Sequence, residues 1–189
     1  DRWIRPIKNI LCIYEKKILN FEFVALKSNN FTFGNYFYGE KKMKCIDFES
    51  YEKNLRNNHV IIQRLDREVL IMSKIKEFCK KNKLIFNVDG SLLRRTCDIV
   101  ENPNIFFAKF EEKFFELPDF LIEEILSNKQ DYFSFKKSDD SLSNIFGFIS
   151  NLELTKKESL IKGNINVLRA RFSDASFFLK EDQKITLKK

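Results

Sequence analysis

The chain has 189 residues, of which 43% are hydrophobic and 32% charged, a balance typical of a globular protein and not of a disordered one. Its net charge of +7 permits binding to nucleic acid or to a membrane surface without requiring either. Residues 1–44 and 155–189 each hold nine basic and four acidic side chains, whereas residues 111–154 hold four basic and ten acidic ones. A polyanion would therefore bind the two ends, and the acidic segment would face a protein or water.

The cysteines and the histidine limit the chemistry that the chain could carry out. Four cysteines lie singly without a CxxC pair, and His59 is the only histidine. Structural zinc sites need paired ligands at short spacing, so the sequence predicts no metal site. Scattered cysteines suit a reducing compartment, and neither a signal peptide nor a run of eighteen apolar residues is found, so we expect a cytoplasmic protein without a membrane. Because the chain begins at Asp1 without an initiator methionine, we expect a fragment of a longer protein.

The first sixty residues are predicted to be mostly β-structure. The predicted strands are 7–14, 18–26, 31–38 and 59–62, with turns at 15–17 and 28–30. Apolar and polar residues alternate in the second and third of these strands, which predicts one buried face for each. A short helix over 47–57, capped by Asp47, interrupts the series.

Helices alternate with strands in the rest of the chain. A helix over 64–83 has an apolar stripe made of Leu65, Val69, Met72, Ile75 and Cys79. Two further helices are predicted over 91–100, capped by Ser91, and over 119–129, capped by Asp119. Residues 104–110 are predicted to form a strand, and 131–135 to pair with 142–153 in a hairpin. The chain closes with a long helix from about Thr155, with a break near Gly163.

This order of elements predicts an α+β fold, with a mixed, largely antiparallel β-sheet core flanked by helices and followed by a long helix. We expect one module over 1–154 and a helical region over 155–189. The five glycines form neither GxGxxG nor a Walker A loop, so no phosphate-binding loop is predicted. A histidine-dependent triad would rest on His59, which is more typical of a loop or core position. We therefore expect no active site in the chain.

Residues 164–184 combine an apolar stripe with several charges. Apolar residues recur at spacings of four, three and four, which predicts one helical face made of Leu168, Phe172, Ala175 and Leu179. Arg169 and Arg171 lie on either side of this face. Arg171 is three residues from Asp174, which is close enough for an ion pair on a helix.

The same segment resembles a signature of the beta subunit of bacterial glycyl-tRNA synthetase, N-x-x-V-L-R-A-R-x-x-D-A-x-F-F-x-x-x-D-x-K. The matching positions are Asn164, 167–171, Asp174, Ala175, Phe177, Phe178, Asp182 and Lys184. Helical amphipathicity alone does not produce so specific a pattern. The chain therefore resembles an internal fragment of this subunit.

Further matches follow in order along the chain. The family's R-P, F-x-x-x-F-L-x-L-P-x-E-x-L, Q-x-Y-F and F-x-x-x-x-N-x-E segments are similar to Arg5-Pro6, 108–122, 130–133 and 146–153. Four positions depart from the pattern. Where the family reads T-x-G-H-R-F, this chain has Asn35 and Tyr36 in place of His and Arg. Asp131 stands where a basic residue is common, and Ser134 replaces the proline that follows Y-F. Whether any editing activity remains is therefore left open.

The resemblance implies a supporting role. In this family the alpha subunit activates glycine with ATP and Mg²⁺, the beta subunit is needed for tRNA, and two of each form a heterotetramer. The resemblance also implies a fold like the editing-type domain of the phenylalanyl-tRNA synthetase beta subunit. Because glycine is the smallest amino acid, a site that rejects larger ones needs no second, hydrolytic site. We therefore expect a non-catalytic part of glycine–tRNA ligase that binds no cofactor itself, with the alpha subunit and tRNA-Gly as partners.

Basic side chains near both ends are the candidates for contact with tRNA phosphates, which would position the RNA without reading its sequence. These candidates are Arg2, Arg5, Arg169, Arg171 and Lys184. An equal alternative for Arg169 and Arg171 is that ion pairs with Asp174 and Asp182 hold helices together. Two other functions stay open: a scaffold whose acidic segment binds a protein without touching RNA, and a vestigial editing domain.

Overall fold

A computed structural model describes residues 6–39, 41–87, 89–152 and 157–184. The chain divides into two compact units, residues 1–63 and residues 64–189. The order of elements confirms the α+β class, with several small, largely antiparallel sheets and a long last helix. None of the helices in the described ranges combines the length and the apolar character needed to cross a bilayer. The predicted boundary near residue 154 falls outside these ranges and stays a prediction.

The described part of the first unit contains seven short strands. They are β1 (Ile10–Leu11), β2 (Ile13–Tyr14), β3 (Lys17–Ile18), β4 (Glu22–Phe23), β5 (Leu26–Asn29), β6 (Phe31–Phe33) and β7 (Lys42–Lys44). The central strand β5 pairs with β1 in parallel and with β4 antiparallel. Two separate hairpins are formed by β2 with β3 and by β6 with β7.

Turns divide the first unit more finely than the sequence predicted. The predicted turn at 15–17 is confirmed by positive φ angles at its first two residues. The predicted continuous strand 18–26 is wrong, because Val24 and Ala25 also adopt positive φ and fold it into the β4–β5 hairpin. The predicted turn at 28–30 is wrong as well, since its first two residues belong to β5. Alternation of apolar residues does not reveal such left-handed turn positions.

The expected burial of these strands also differs. The predicted strand 31–38 ends at Phe33 and is followed by a 3₁₀ helix over Tyr36–Tyr38. Phe21, Phe23 and Val24, which were expected to alternate in and out of a core, are all exposed. Among the described hydrophobic side chains of this unit, those that are buried are Met43, Cys45 and Leu55. Strands of two to four residues provide too little sheet to bury a continuous face.

Helix α1 (Phe48–Asn57) begins as predicted. The carboxylate of Asp47 accepts a hydrogen bond from the Ser50 N–H at 2.9 Å, and the Ser50 hydroxyl accepts one from the Asp47 N–H at 3.1 Å. This reciprocal pair is a capping box. The predicted strand at 59–62 is wrong: His59 has a φ of 61°, and the Val60 N–H donates back to the Leu55 carbonyl.

The second unit starts with two helices. Helix α2 (Arg64–Asn82) is confirmed, but its buried side chains are Ile71, Ile75 and Cys79, whereas Leu65 and Val69 are exposed. The predicted burial of Leu65 and Val69 is wrong because the hydrophobic cluster reaches only the second half of the helix.

Helix α3 (Gly90–Asp98) is capped by Asp89, not by Ser91 as predicted. The Asp89 carboxylate accepts hydrogen bonds from the backbone N–H groups of Ser91 and Leu92 at 2.8 and 3.2 Å. The carboxylate of Asp89, two residues before Ser91, therefore accepts hydrogen bonds from the first N–H groups of the helix. Ser91 lies in the first turn.

A three-stranded antiparallel sheet forms the centre of the second unit, in the order β8 (Asn104–Lys109), β10 (Leu142–Ser150) and β9 (Phe133–Lys136). The hairpin predicted for its last two strands is confirmed. One face carries Phe106, Phe146 and Phe148, and the other carries Phe107, Phe133 and Phe135. Helices α2 and α3 pack on the second of these faces.

A short helical segment precedes the hairpin. Helix α4 (Asp119–Glu124) continues as a π-helical turn over Ile125–Lys129, which matches the predicted helical span. Its cap position is Pro118, so the predicted cap at Asp119 is wrong. Proline fits there because the first N–H groups of a helix have no intrahelical partner.

Helix α5 (Lys157–Asp182) covers the other face of the sheet. Leu168 and Phe172 are completely buried, and Ala175 and Leu179 pack partly buried against the same cluster, which confirms the predicted stripe. The predicted break near Gly163 is wrong, since the helix continues through it. A single glycine weakens a helix but does not end it when packing on one face holds the turns before and after it.

Candidate nucleic-acid interface

Arg169 projects from α5 toward an acidic residue that sequence analysis did not connect with it. Its Nε lies 2.5 Å from the Oε1 of Glu111, and one of its terminal nitrogens donates to Asn166 at 3.3 Å. The Nζ of Lys113 lies 2.5 Å from the other carboxylate oxygen of Glu111. Hydrogen bonds from Lys113 and then from Arg169 hold the pKa of Glu111 below its ordinary value. The guanidinium of Arg169 is thus already engaged inside the chain.

Arg171 lies on a different side of α5. Two residues correspond to about 200° of rotation around a helix, so Arg171 and Arg169 leave the buried stripe on opposite flanks. The Arg171 side chain is exposed, and no carboxylate in the described ranges lies within ion-pair distance of it. The pair expected with Asp174 does not form. Of the candidates that the structure describes, Arg171 offers the guanidinium most open to an external anion.

The other candidates differ in what the structure shows of them. Lys184, just after α5, lies 2.6 Å from Glu181, so its charge is paired locally. Arg2 and Arg5 lie outside the described residues. The three described candidates belong to the second unit, and two of them, Arg169 and Arg171, occupy different flanks of one helix.

Two of the segments that carry the resemblance meet through a hydrogen bond. The Tyr132 hydroxyl donates to the Oδ1 of Asn164 at 2.6 Å, and the Asn164 side chain donates to the Leu160 carbonyl at 2.8 Å. The ring of Tyr132 stacks on Phe146, with centroids 5.2 Å apart. Burial raises the pKa of Tyr132 to about 12, so the hydroxyl keeps its proton at neutral pH. This hydrogen bond connects Tyr132, the residue just before β9, to α5.

The whole chain matches one protein family. The family model described as "Glycyl-tRNA synthetase beta subunit" covers residues 1–189. The chain belongs to this family. Similar proteins named "Glycine--tRNA ligase beta subunit" occur in Rickettsia africae and Rickettsia prowazekii, each 37% identical over 186 residues, and in Rickettsia bellii, 35% identical over 186 residues. Each alignment covers 98% of this chain and 28% of the relative, so the chain spans little more than a quarter of the length of these beta subunits.

Asp131, one of the departures from the family pattern, has a partner. Its carboxylate lies 3.0 Å from the Nε of Arg95, whose other nitrogens donate to the Ser91 hydroxyl and the Ser127 carbonyl, each at 3.1 Å. Arg95 thus joins α3 to the π-helical turn and to the residue before Tyr132. An acidic residue at 131 serves this contact, which a basic residue there would oppose through like-charge repulsion.

The second departure lies in the first unit. Asn35 is buried, and its side chain accepts a hydrogen bond from the Phe37 N–H at 3.0 Å, which caps the 3₁₀ helix. A Cβ on Gly34 would come within 2.6 Å of the Asn58 side chain, so only glycine fits this close approach. Tyr36 is exposed. At these positions the chain needs a glycine at 34 and uses Asn35 as a structural side chain.

The described residues contain no cluster of three or more Cys, His, Asp or Glu side chains suited to a metal. Burial raises the pKa of Cys79 and, together with the nearby carboxylate of Glu68, raises that of Cys97 to about 11, so both thiols stay protonated at neutral pH. The ring of His59 stacks on Tyr38, with centroids 4.0 Å apart.

Acidic residues of 111–154 form ion pairs that were not predicted from the sequence. Glu116 lies 3.5 Å from Lys180 of α5, in addition to the Glu111–Arg169 and Asp131–Arg95 pairs. Residues 111–154 therefore direct part of their negative charge toward basic residues of the same unit. The opposite charge of this segment and of residues 155–189 is the signal that could have revealed the two pairs with α5.

Proposed function

We propose that this chain is a non-catalytic part of the beta subunit of a cytoplasmic glycyl-tRNA synthetase and that it contacts tRNA-Gly. The observation that carries the proposal is the match to the beta subunit family over residues 1–189. In this proposal the alpha subunit binds ATP and Mg²⁺ and performs the chemistry. Two alpha and two beta subunits form the working enzyme, and this chain helps to hold the tRNA in register with the alpha subunit.

The contact with tRNA is proposed to use Arg171 before the other described candidates. A guanidinium that is exposed and unengaged can bind a phosphate without first breaking an ion pair. Arg169 would have to leave Glu111, and Lys184 would have to leave Glu181. Arg169 is therefore proposed to orient α5 on the sheet, whereas Arg171 contacts RNA. Arg2 and Arg5 stay candidates for additional phosphate contacts.

The experiment compares three arginine variants in the full-length beta subunit assembled with its alpha subunit. Arg171→Ala should weaken binding of tRNA-Gly and raise the KM for tRNA. The negative slope of log K against log salt should become shallower by about 0.7 to 0.9, the value for one phosphate contact. Arg94→Ala is the matched control, since Arg94 is an exposed arginine of α3 in the same unit. It should leave binding unchanged.

Arg169→Ala separates orientation from contact. Its expected effect is a small loss of stability with little change in the salt slope, because an exposed ion pair with Glu111 is removed. If the Arg171→Ala variant binds tRNA-Gly as tightly as the wild type and with the same salt dependence, the proposed contact is wrong. Equal weakening by Arg94→Ala would show that net charge alone, and not Arg171, determines affinity.

A protein-binding role is the second candidate, and an exposed aromatic pair favours it. Phe177 and Phe178 of α5 are 58% and 62% exposed, and their rings meet edge to face with centroids 5.4 Å apart. Phe177 lies beside a groove between α5 and the 3₁₀ helix Glu112–Glu116. Replacing both with serine should weaken association of the subunits without changing the salt dependence of tRNA binding, if this surface binds protein.

A further inference from the structure

The β6–β7 hairpin of the first unit has two different faces. In its register Phe31 is opposite Lys44, Thr32 opposite Met43, and Phe33 opposite Lys42. Side chains alternate along a strand, so Thr32 and Met43 share the inner face, and Met43 is buried there. The outer face consists of Phe31, Phe33, Lys42 and Lys44. We call this outer face the aromatic–lysine ribbon.

The ribbon is open to solvent. Phe33 is 37% exposed, Lys42 and Lys44 are exposed, and Phe31 is partly buried. The rings of Phe31 and Phe33 meet edge to face with centroids 5.7 Å apart, and the Nζ of Lys42 lies 3.6 Å from the centre of the Phe31 ring. Two cations and two rings therefore alternate within one small surface, a combination that neither a hydrophobic core nor a solvated edge requires.

Hydrogen bonds hold the ribbon in place from both strands. Asn9 donates to the Phe31 carbonyl at 2.8 Å, and the Phe31 N–H donates to the Asn29 side chain at 2.9 Å. On the other strand, Asn54 of α1 donates to the Lys44 carbonyl at 2.9 Å. A fixed backbone lowers the entropy that ligand binding would otherwise cost. The backbone of the ribbon is therefore held on both strands.

A polar groove continues from the ribbon. It is lined by Lys41, Lys42, Lys44, Asn54 and Asn57, among others. Ammonium groups and side-chain amides are donors that suit phosphate oxygens. Exposed rings beside such a groove suit the faces of nucleobases, since stacking accepts any base and cations bind the linking phosphates. An acidic peptide would use the lysines but would have no general need for the exposed ring.

We propose that the aromatic–lysine ribbon binds an unpaired segment of RNA, with a base against Phe33 and phosphates at Lys42, Lys44 and the adjoining groove. This inference rests on the proposed function, since it assigns a second part of the tRNA contact to this chain. A paired helix keeps its bases stacked inside, so the ribbon distinguishes loops and ends from duplex. The site belongs to the first unit, whereas Arg171 belongs to the second.

The test uses the full-length beta subunit with its alpha subunit and three probes: tRNA-Gly, a short unpaired oligoribonucleotide and a blunt RNA duplex. Phe33→Leu keeps an apolar side chain but removes the ring, and should weaken binding of the first two probes at least about fivefold. Phe33→Trp should restore it. Phe48→Leu is the matched control, because Phe48 is an exposed ring of the same unit outside the ribbon.

The lysines are tested by charge. The double variant Lys42→Ala, Lys44→Ala should make the negative slope of log K against log salt shallower by about 1.4 for the unpaired probe. This change corresponds to the loss of two phosphate contacts. Lys17→Ala with Lys53→Ala is the control, since both lysines are exposed in the same unit and lie outside the ribbon and its groove. Binding of the duplex should be the same in both double variants.

Three results would overturn the inference. If the ribbon variants bind all probes like the wild type while Arg171→Ala still weakens tRNA binding, the ribbon assignment fails and the proposed function stands. If Arg171→Ala and the ribbon variants all bind normally, the proposed tRNA contact fails as well. If the ribbon variants instead lose the alpha subunit, as measured by sedimentation, the ribbon is a protein-binding surface.

Discussion

Residues 1–63 and 64–189 are both rich in aromatic residues but place them differently. The second unit packs most of its rings into two clusters on the two faces of one sheet, although Phe120, Phe177 and Phe178 are exposed. The described part of the first unit has no buried ring and leaves Phe21 and Phe23, among others, exposed. The first unit holds eleven Lys and Arg against seven Asp and Glu, and the second holds 23 against 20. The shorter unit thus carries the larger excess of positive charge on a surface with exposed rings. The longer unit is the packed scaffold of the chain.

The largest effect should come from removing a ring at the centre of the second unit. Phe172 is completely buried and contacts Phe110 and Phe114, so Phe172→Ala should lower the free energy of unfolding by about 3 to 5 kcal/mol. Phe23→Ala, at an exposed ring of the first unit, should change it by less than about 0.5 kcal/mol. Urea unfolding followed by circular dichroism measures both. Equal losses would remove the contrast between the two units.

The next effect concerns the hydrogen bond between Tyr132 and Asn164. Tyr132→Phe should lower the free energy of unfolding by about 1 kcal/mol, because Asn164 loses its donor. Tyr14→Phe, at an exposed tyrosine of the first unit, should have no measurable effect.

The same tyrosine gives a dependence on pH. Since the pKa of Tyr132 is raised to about 12 in the folded state, the unfolded chain releases this proton first as pH rises. Stability from this group is complete below pH ~10, the ordinary tyrosine pKa, and is lost as pH rises from there toward 12. Unfolding titrations should show a steeper alkaline loss for the wild type than for Tyr132→Phe. Parallel curves would contradict the burial of this hydroxyl.

A third and comparable effect tests the cap of α3. Asp89→Ala should lower the free energy of unfolding by about 1 kcal/mol, whereas Asp89→Asn should retain most of the stability because the amide oxygen also accepts hydrogen bonds.

The hydrogen bond from the Ser91 hydroxyl, followed by those from backbone N–H groups, lowers the pKa of Asp89. Its contribution is therefore present above the ordinary aspartate pKa and is lost as pH falls through the lower, folded-state value. The difference in melting temperature between Asp89→Asn and the wild type should shrink on acidification. A difference independent of pH would mean that the charge plays no part in the cap.

The smallest effect belongs to the surface charges of α5. A double-mutant cycle between Arg169→Ala and Glu111→Ala should give a weak coupling that disappears in about 1 M salt, because the pair is exposed. The same cycle between Arg171→Ala and Asp174→Ala should give none, since the structure contains no such pair. Coupling of Arg171 with Asp174 would favour the ion-pair alternative over RNA contact.

Local sequence signals predicted elements well where one interaction dominates. The apolar stripe of α5, the cap at Asp47 and the β9–β10 hairpin followed from periodicity and turn chemistry. The errors cluster where several weak signals compete. Left-handed turns at Val24 and Ala25 replaced a strand, and Leu65 and Val69 are exposed because the hydrophobic cluster reaches only the second half of α2.

Candidate sites show the same division. The sequence supplied the family resemblance and the basic residues, but their spacing could not distinguish Arg169 from Arg171. Glu111 is 58 residues from Arg169 in the chain, and no local pattern connects them. The aromatic–lysine ribbon was missed because alternating Phe and Thr in 31–33 reads as a strand with a buried aromatic face.

By itself, then, the sequence determined the family, the α+β class, the helices and the buried stripe of the last helix, since each depends on residues near one another in the chain. The tertiary structure decided which flank of α5 is paired, which strand faces are covered and where exposed rings meet lysines. These outcomes depend on contacts between distant segments, whose geometry is fixed only when the two hydrophobic clusters and the short hairpins have formed.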